Sequence, residues 1–151
     1  MKKITIISWI IVLVAVSLIS TWGMFGYPKQ KAKLLNSCEK FVDDAVKAIC
    51  SNWDYYELIE RANPDKLHQS DEPTVEKMFV FFKKLGKMNT YHGCEGKFIT
   101  VDGKTLFLYI AEADFKNGPA KIIMEISKEG KKLYIDDFKV KSEEVFGEYV
   151  H

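Results

Sequence analysis

The chain has 151 residues, with 22 Lys and Arg against 21 Asp and Glu and a formal net charge of +1. That balance excludes a nucleic-acid-binding footprint, which needs a clustered basic excess. Three cysteines, Cys38, Cys50 and Cys94, with no Cys-x-x-Cys, exclude a zinc module built on paired thiols.

From Ile4 to Tyr27 no residue is charged; Lys2 and Lys3 precede this run and Lys29, Lys31 and Lys33 follow it. At about 1.5 Å per residue it is long enough for the ~30 Å hydrocarbon core of a bilayer. Trp9, Trp22 and Tyr27 suit the two interfaces. A cleaved secretory signal is the alternative, but its apolar core would be only ~7 to 15 residues. The small-residue pairs needed for cleavage are also poor here, at Leu18/Ser20 and Thr21/Gly23. A lipoprotein signal ending at Cys38 is disfavoured by the three lysines that separate it from the apolar core. The reading is a signal-anchor transmembrane helix over residues 1–28 and an α+β domain over residues 29–151. The lysines flanking the span are nearly even in number, so orientation follows from the three residues ahead of it. A single-pass protein of the inner (cytoplasmic) membrane is expected, with its C-terminal domain extracytoplasmic and its bilayer contact through residues 4–27.

The 124 residues after Tyr27 are enough for one hydrophobic core and too few for two. Leu34, Cys38, Phe41, Val42, Ala45, Ile49 and Trp53 recur at helical spacing and predict an amphipathic helix over 34–53. A second helical piece spans Asp54 to Ala62, and Asn63 is placed to cap a short turn beginning at Pro64. The next helix is capped by Ser70 or Asp71 and has Pro73 in its first turn. Val75, Met78, Phe79, Phe82 and Leu85 form its face, and Gly86 stops it. The period then changes to that of strands near Tyr91–Val101, Thr105–Phe115, Ala120–Ser127 and Leu133–Val140. Asp102-Gly103, Asn117-Gly118 and Glu129-Gly130 separate them as hairpin turns. The expected fold class is α+β: an N-terminal transmembrane helix, then three helices packed on a curved four-stranded antiparallel sheet.

This order, and the closing strand Lys132-Leu133-Tyr134-Ile135-Asp136-Asp137-Phe138-Lys139-Val140, resembles the nuclear-transport-factor-2-like superfamily, also called cystatin-like or ketosteroid-isomerase-like, over residues 34–142. Bacterial members with an N-terminal anchor are similar to small exported proteins, and one such branch assembles type IV secretion systems. The chain lacks the longer cytoplasmic tail of that branch. Enzymes of the superfamily use a cone between helices and sheet, with an aspartate base and tyrosine donors, and the resemblance implies pocket candidates Tyr56, Tyr109, Asp114 and Asp137 here. Tyr55, Tyr91 and Asp136 supply the same chemistry nearby in sequence. None of these aligns to a family catalytic motif, so packing tyrosines and solvent-facing aspartates are the simpler reading.

His92 and Cys94 stand one residue apart and are expected on one strand face. Two residues do not make a metal site, and neither His68 nor His151 has an evident partner, so no metal and no cofactor is assigned. A disulfide between Cys50 and Cys94 is one option in an oxidising compartment, and buried free thiols are the other.

The third strand segment from the end carries the clearest pattern. One face of Thr105–Phe115 reads Phe107, Tyr109, Ala111, Ala113 and Phe115, and the other reads Leu106, Leu108, Ile110, Glu112 and Asp114. Only one face can pack on the helices, so Leu106, Leu108 and Ile110 are interface candidates unless a bulge switches the faces. The expected function is a membrane-anchored binding or assembly module that pairs with itself or with a protein partner. The alternative is a small-molecule carrier, or an isomerase or hydratase using the cone.

Overall fold

The computed structural model describes residues 28–67, 72–102 and 104–147. The candidate membrane span, the caps Ser70 and Asp71, Gly103, His68 and His151 lie outside the described residues. The chain divides between Asn36 and Ser37 into two units, and the second holds the sheet and the short helices.

Helix α1 runs Pro28–Cys50 and starts at Pro28 rather than at Leu34. Proline is tolerated in a first turn because its missing N–H has no helical partner there, and the Lys, Gln, Ala and Leu that follow are good helix formers. Its buried side is Cys38, Val42, Ala45, Val46, Ile49 and Cys50, all 0% exposed. Those positions step by three and four residues, so they share one stripe of the helix.

The helix stops before Trp53, whose φ of 54° is left-handed. A bulky residue there is strained by about 1–2 kcal/mol, and its contacts offset the cost. The indole Nε1–H donates to the Gly86 carbonyl at 2.9 Å, and the ring stacks on Phe115 at 5.1 Å. Helix α2 (Tyr55–Arg61) is capped by the Asp54 carboxylate, which accepts from the Tyr56 N–H. Helix α3 (Pro64–Leu67) is capped by Asn63, whose Oδ1 accepts from the Asp65 N–H at 3.1 Å. Helix α4 (Glu72–Phe82) passes into a 3-10 turn, Lys83–Leu85, and ends at Gly86 with φ 77°. Phe79, Phe82 and Leu85 of the anticipated face are buried, whereas Met78 is 39% exposed because it sits at the edge of that stripe.

The four strands are β1 (Met88–Val101), β2 (Lys104–Phe115), β3 (Gly118–Glu129) and β4 (Lys132–Lys141), in the spatial order β1-β2-β3-β4, all antiparallel. A short helix α5 (Glu143–Phe146) closes the described chain, with Phe146 stacked on Phe81 at 4.4 Å. The α+β class and the open four-stranded antiparallel sheet agree with the reading from sequence.

Register decides which side chains face the helices. β2 and β3 pair without interruption from Phe107↔Ile126 to Phe115↔Gly118, so neither strand switches faces. The irregularities lie on the edge strands: Asn89 and His92 are extra residues in β1, and Asp136 is an extra residue in β4. The inner face therefore holds Phe107, Tyr109, Ala111, Ile122, Met124 and Ile126, each at most 3% exposed. These side chains form the core on that face of the sheet.

Candidate functional site

The outer face of the sheet offers an apolar strip. Ile99 of β1 lies opposite Leu106 of β2, Leu108 and Ile110 follow at alternate positions, and Ile123 of β3 lies opposite Ile110. Ile110 is 36% exposed and the other four are half-buried. Charged residues border the strip: Glu95 and Lys97 on β1, Glu112 on β2, Lys121 and Glu125 on β3, Asp137 and Lys139 on β4. Lys121 Nζ lies 3.1 Å from Glu112 Oε1, and Lys139 pairs with Asp137. The Asp137 carboxylate holds the Lys139 ammonium above its usual range by accepting its hydrogen bond. An apolar centre inside a polar rim is the layout of a protein-binding surface. The sequence pointed to Leu106, Leu108 and Ile110; Ile99 and Ile123 join them only through strand register.

A second cluster joins α1 to the inner face. The Tyr91 hydroxyl donates to Asp43 Oδ1 at 2.5 Å, and the Cys94 thiol donates to the same oxygen at 3.5 Å. Lys47 Nζ stands 5.5 Å from the centre of the Tyr91 ring. Burial pushes the Cys94 thiol up to about 12, with the Asp43 carboxylate adding to the shift, and burial with the Asp43 hydrogen bond raises the Tyr91 phenol. Both groups keep their protons at neutral pH, so Cys94 is not a thiolate nucleophile. The cluster works as a clamp between α1 and β1, with one carboxylate accepting from two donors.

The extra residue in β1 corrects the expectation for His92 and Cys94. Because the strand bulges at His92 and Gly93 (φ 101°), Tyr91 and Cys94 share the inner face and His92 turns outward. His92 Nε2 lies 2.8 Å from Asp114 Oδ2, and both side chains are about half exposed. Among the described residues no three His, Cys, Asp or Glu side chains gather as a metal site.

Cys50 and Cys94 are free thiols. Cys94 meets the Glu39–Asp43 turn of α1, and Cys50 lies seven residues beyond Asp43, about 10 Å further along the helix. A bridge between them would need their Cα atoms within ~7 Å. Burial raises the Cys50 and Cys38 thiols.

The four pocket candidates do not converge. Tyr109 is 2% exposed on the inner face, where burial raises its phenol and its ring covers Gly96. Tyr56 is 74% exposed on α2, while Asp114 and Asp137 lie on the outer face. The geometry corrects the expectation of one site, because period-two strands send residues of opposite parity to opposite faces. A cleft of about 160 Å³ does lie between α2, α3, α4 and β4. Leu58, Ile59, Met78, Phe79 and Phe138 line it with Asp136 and Asp137, and no tyrosine does.

Asn63 was read only as a cap, and it also pins the helices to β4. Its backbone N–H donates to the Ile135 carbonyl at 2.9 Å, and its Nδ2 lies 3.0 Å from Asp136 Oδ1 and 3.3 Å from both Ser127 Oγ and Glu129 Oε1. The residue is 5% exposed. Nothing local in the sequence announces this role, since its partners lie more than sixty residues away and depend on the β4 bulge.

Comparison of the chain with protein-family models, with curated proteins and with solved structures gives no match.

Proposed function

We propose that this protein is a membrane-tethered binding and assembly module whose working surface is the outer face of its sheet. The observation that carries the reading is the unbroken β2–β3 register, which keeps Leu106, Leu108 and Ile110 on the face opposite the filled core. The uncharged run Ile4–Tyr27 supports a single-pass tether in the cytoplasmic membrane, with the domain on the extracytoplasmic side. A helical layer followed by a four-stranded antiparallel meander supports the resemblance to the nuclear-transport-factor-2-like superfamily.

Leu108→Glu tests the surface. In the full chain, solubilised in detergent and followed by sedimentation velocity, the substitution is expected to abolish association while circular dichroism stays unchanged. Identical association states before and after the substitution would overturn the reading.

The cleft of about 160 Å³ beside β4 favours a second reading, a carrier of a small apolar molecule. That reading expects a carboxylate and a tyrosine in one enclosure, and the cleft supplies only carboxylates. Native mass spectrometry of the purified chain tests it: a bound mass lost in Phe79→Ala would restore the carrier reading.

A further inference from the structure

We infer that the outward side of helix α4 and its 3-10 extension lies on an anionic bilayer surface, an inference that rests on the tether proposed above and names what the helical side of the domain meets. Met78, Val80 and Phe81 face the lipid, and Lys77, Lys83, Lys84 and Lys87 lie among its headgroups.

The sequence of α4 does not fit a helix with one buried side. Met78 to Phe82 are five successive apolar residues, and five successive residues point all the way round a helix. Phe79 and Phe82 are buried, whereas Met78 is exposed, Phe81 is half-buried and Val80 is 63% exposed. Lys77, Val80 and Lys84 step by three and four residues, so they share the outward stripe. Phe81 stands beside it, with Lys84 Nζ 4.6 Å from the centre of its ring. Lys77, Met78, Phe81 and Phe82 line an open groove of about 380 Å³ that continues the patch toward Val140 of β4. The exposed Tyr56 stands next to α4, because the Tyr55 ring meets both Tyr56 and Phe79. Of the four large apolar residues exposed among the described residues, three therefore lie on or next to this helix.

Charge selects the partner. The exposed charged residues from Pro73 to Lys87 are Lys77, Lys83, Lys84 and Lys87 against Glu76 alone, in a chain whose net charge is only +1. None of the four lysines pairs with a carboxylate among the described residues. The negative end of the helix accounts for Lys83 and Lys84, but not for Lys77 in mid-helix or for the exposed Val80. Protein interfaces are depleted of lysine. An interfacial helix instead carries lysines whose flexible stems reach phosphates while the apolar side chains enter the acyl boundary. The basic β3–β4 hairpin, with Lys128, Lys131 and Lys132, lacks this combination, since no large apolar residue is exposed on it among the described residues.

Such a face binds weakly by itself, because each lysine near an anionic surface adds only about fivefold in partitioning. A membrane span in the same chain supplies the rest, since tethering holds α4 near the surface at an effective concentration of about millimolar. The attraction is electrostatic and is screened by salt. Phe79 and Phe82 pack on Phe138 from the inner face of the sheet. Ile110 lies on the other face, so contact between α4 and lipid leaves the outer strip available to a protein.

A fluorophore placed on each side of the domain tests this in the full chain. Val80→Cys is made in a Cys94→Ala background, where Cys38 and Cys50 are fully buried and stay unlabelled, and is coupled to nitrobenzoxadiazole. In vesicles of phosphatidylcholine mixed with phosphatidylglycerol, its emission is expected to shift to the blue and rise about threefold over phosphatidylcholine alone. High salt is expected to cancel the rise, as is Lys77→Glu combined with Lys84→Glu. The same label at Ile110→Cys is expected not to respond. Equal emission at Val80→Cys in the two vesicles, an equal rise at Ile110→Cys, or a rise indifferent to salt would overturn the inference; the salt arm leaves the lysines unsubstituted and so does not depend on how the charge variant folds. Retention after an alkaline carbonate wash reads the tether separately. A chain washed off the vesicles overturns the tether, and the salt-sensitive rise at Val80→Cys still decides the α4 face.

Discussion

Strand β2 places two apolar sets on one backbone, and they meet different fates. Phe107, Tyr109, Ala111, Ala113 and Phe115 are at most 4% exposed, while Ile110, between Tyr109 and Ala111, is 36% exposed. Hydrophobicity alone does not separate them, since the outward Leu108 and Ile110 are more apolar than the inward Ala111 and Ala113. What separates them is the helical layer: α1 supplies a matching stripe to one face only. The inner face is finished within the chain, and the outer face keeps an apolar strip that is only half-buried.

Charge placed on each face breaks this comparison most sharply. Ala111→Asp puts a carboxylate among fully buried neighbours with no cationic partner, and is expected to cost about 4 kcal/mol or more and to leave the domain unfolded in urea titrations. The neighbouring Ile110→Asp is expected to stay within about 1 kcal/mol of the parent in stability while losing association. Equal melting of the two variants would erase the distinction between the faces.

Gly96→Ala probes inner-face fit without charge. A Cβ at this position would stand 2.2 Å from the Tyr109 ring, so the ring must move within a packed core. A loss of about 1–3 kcal/mol in chemical denaturation is expected. Asn63→Ala removes the pin between the short helices and β4 and leaves Asp136 short of a donor, for a similar or smaller loss of about 1–3 kcal/mol. Hydrogen exchange is expected to speed at α3 in this variant and to stay unchanged in β2.

Alkali gives the smallest effect and sharpens the comparison further. Cys94, raised to about 12 from 9.0, holds its proton more tightly in the folded chain than in the unfolded one, and burial raises Cys38, Cys50, Tyr91 and Tyr109 likewise. Their contribution is whole below pH 9 and is lost as pH climbs toward 12. All five groups belong to α1 or the inner face. Urea midpoints that fall above pH 9 in the parent, and fall less in Cys94→Ala, would follow from this; a flat profile would not.

The period of the sequence carried most of the fold. The helix face from Cys38 to Ile49, the Asn63 cap, the stop at Gly86 and all four strands follow from local spacing, whereas Asp54, read as the start of a helical piece, caps that helix instead. What local spacing missed depends on one inserted residue. Strict alternation assigns His92 and Cys94 to one face, and the bulge at His92 sends them apart while bringing Tyr91 and Cys94 to Asp43. The insertion at Asp136 likewise kept the partners of Asn63 from view. The apolar outer strip was legible in β2 because that strand has no insertion, and it gained Ile99 and Ile123 only when register was known.

Insertions on the edge strands also bear on what the sheet can recruit. In an open sheet the outermost strands expose unpaired amide and carbonyl groups, which can recruit strands from other molecules and grow into fibres. Among the described residues the strands that bulge are the outermost ones, β1 at Asn89 and His92 and β4 at Asp136, and each extra residue interrupts the ladder that an incoming strand would need. Growth sideways is obstructed at both margins, so the sheet resists edge-to-edge fibre formation while its outer face stays open. Such margins let a chain with an exposed apolar strip stand at high local concentration without its strands seeding an aggregate.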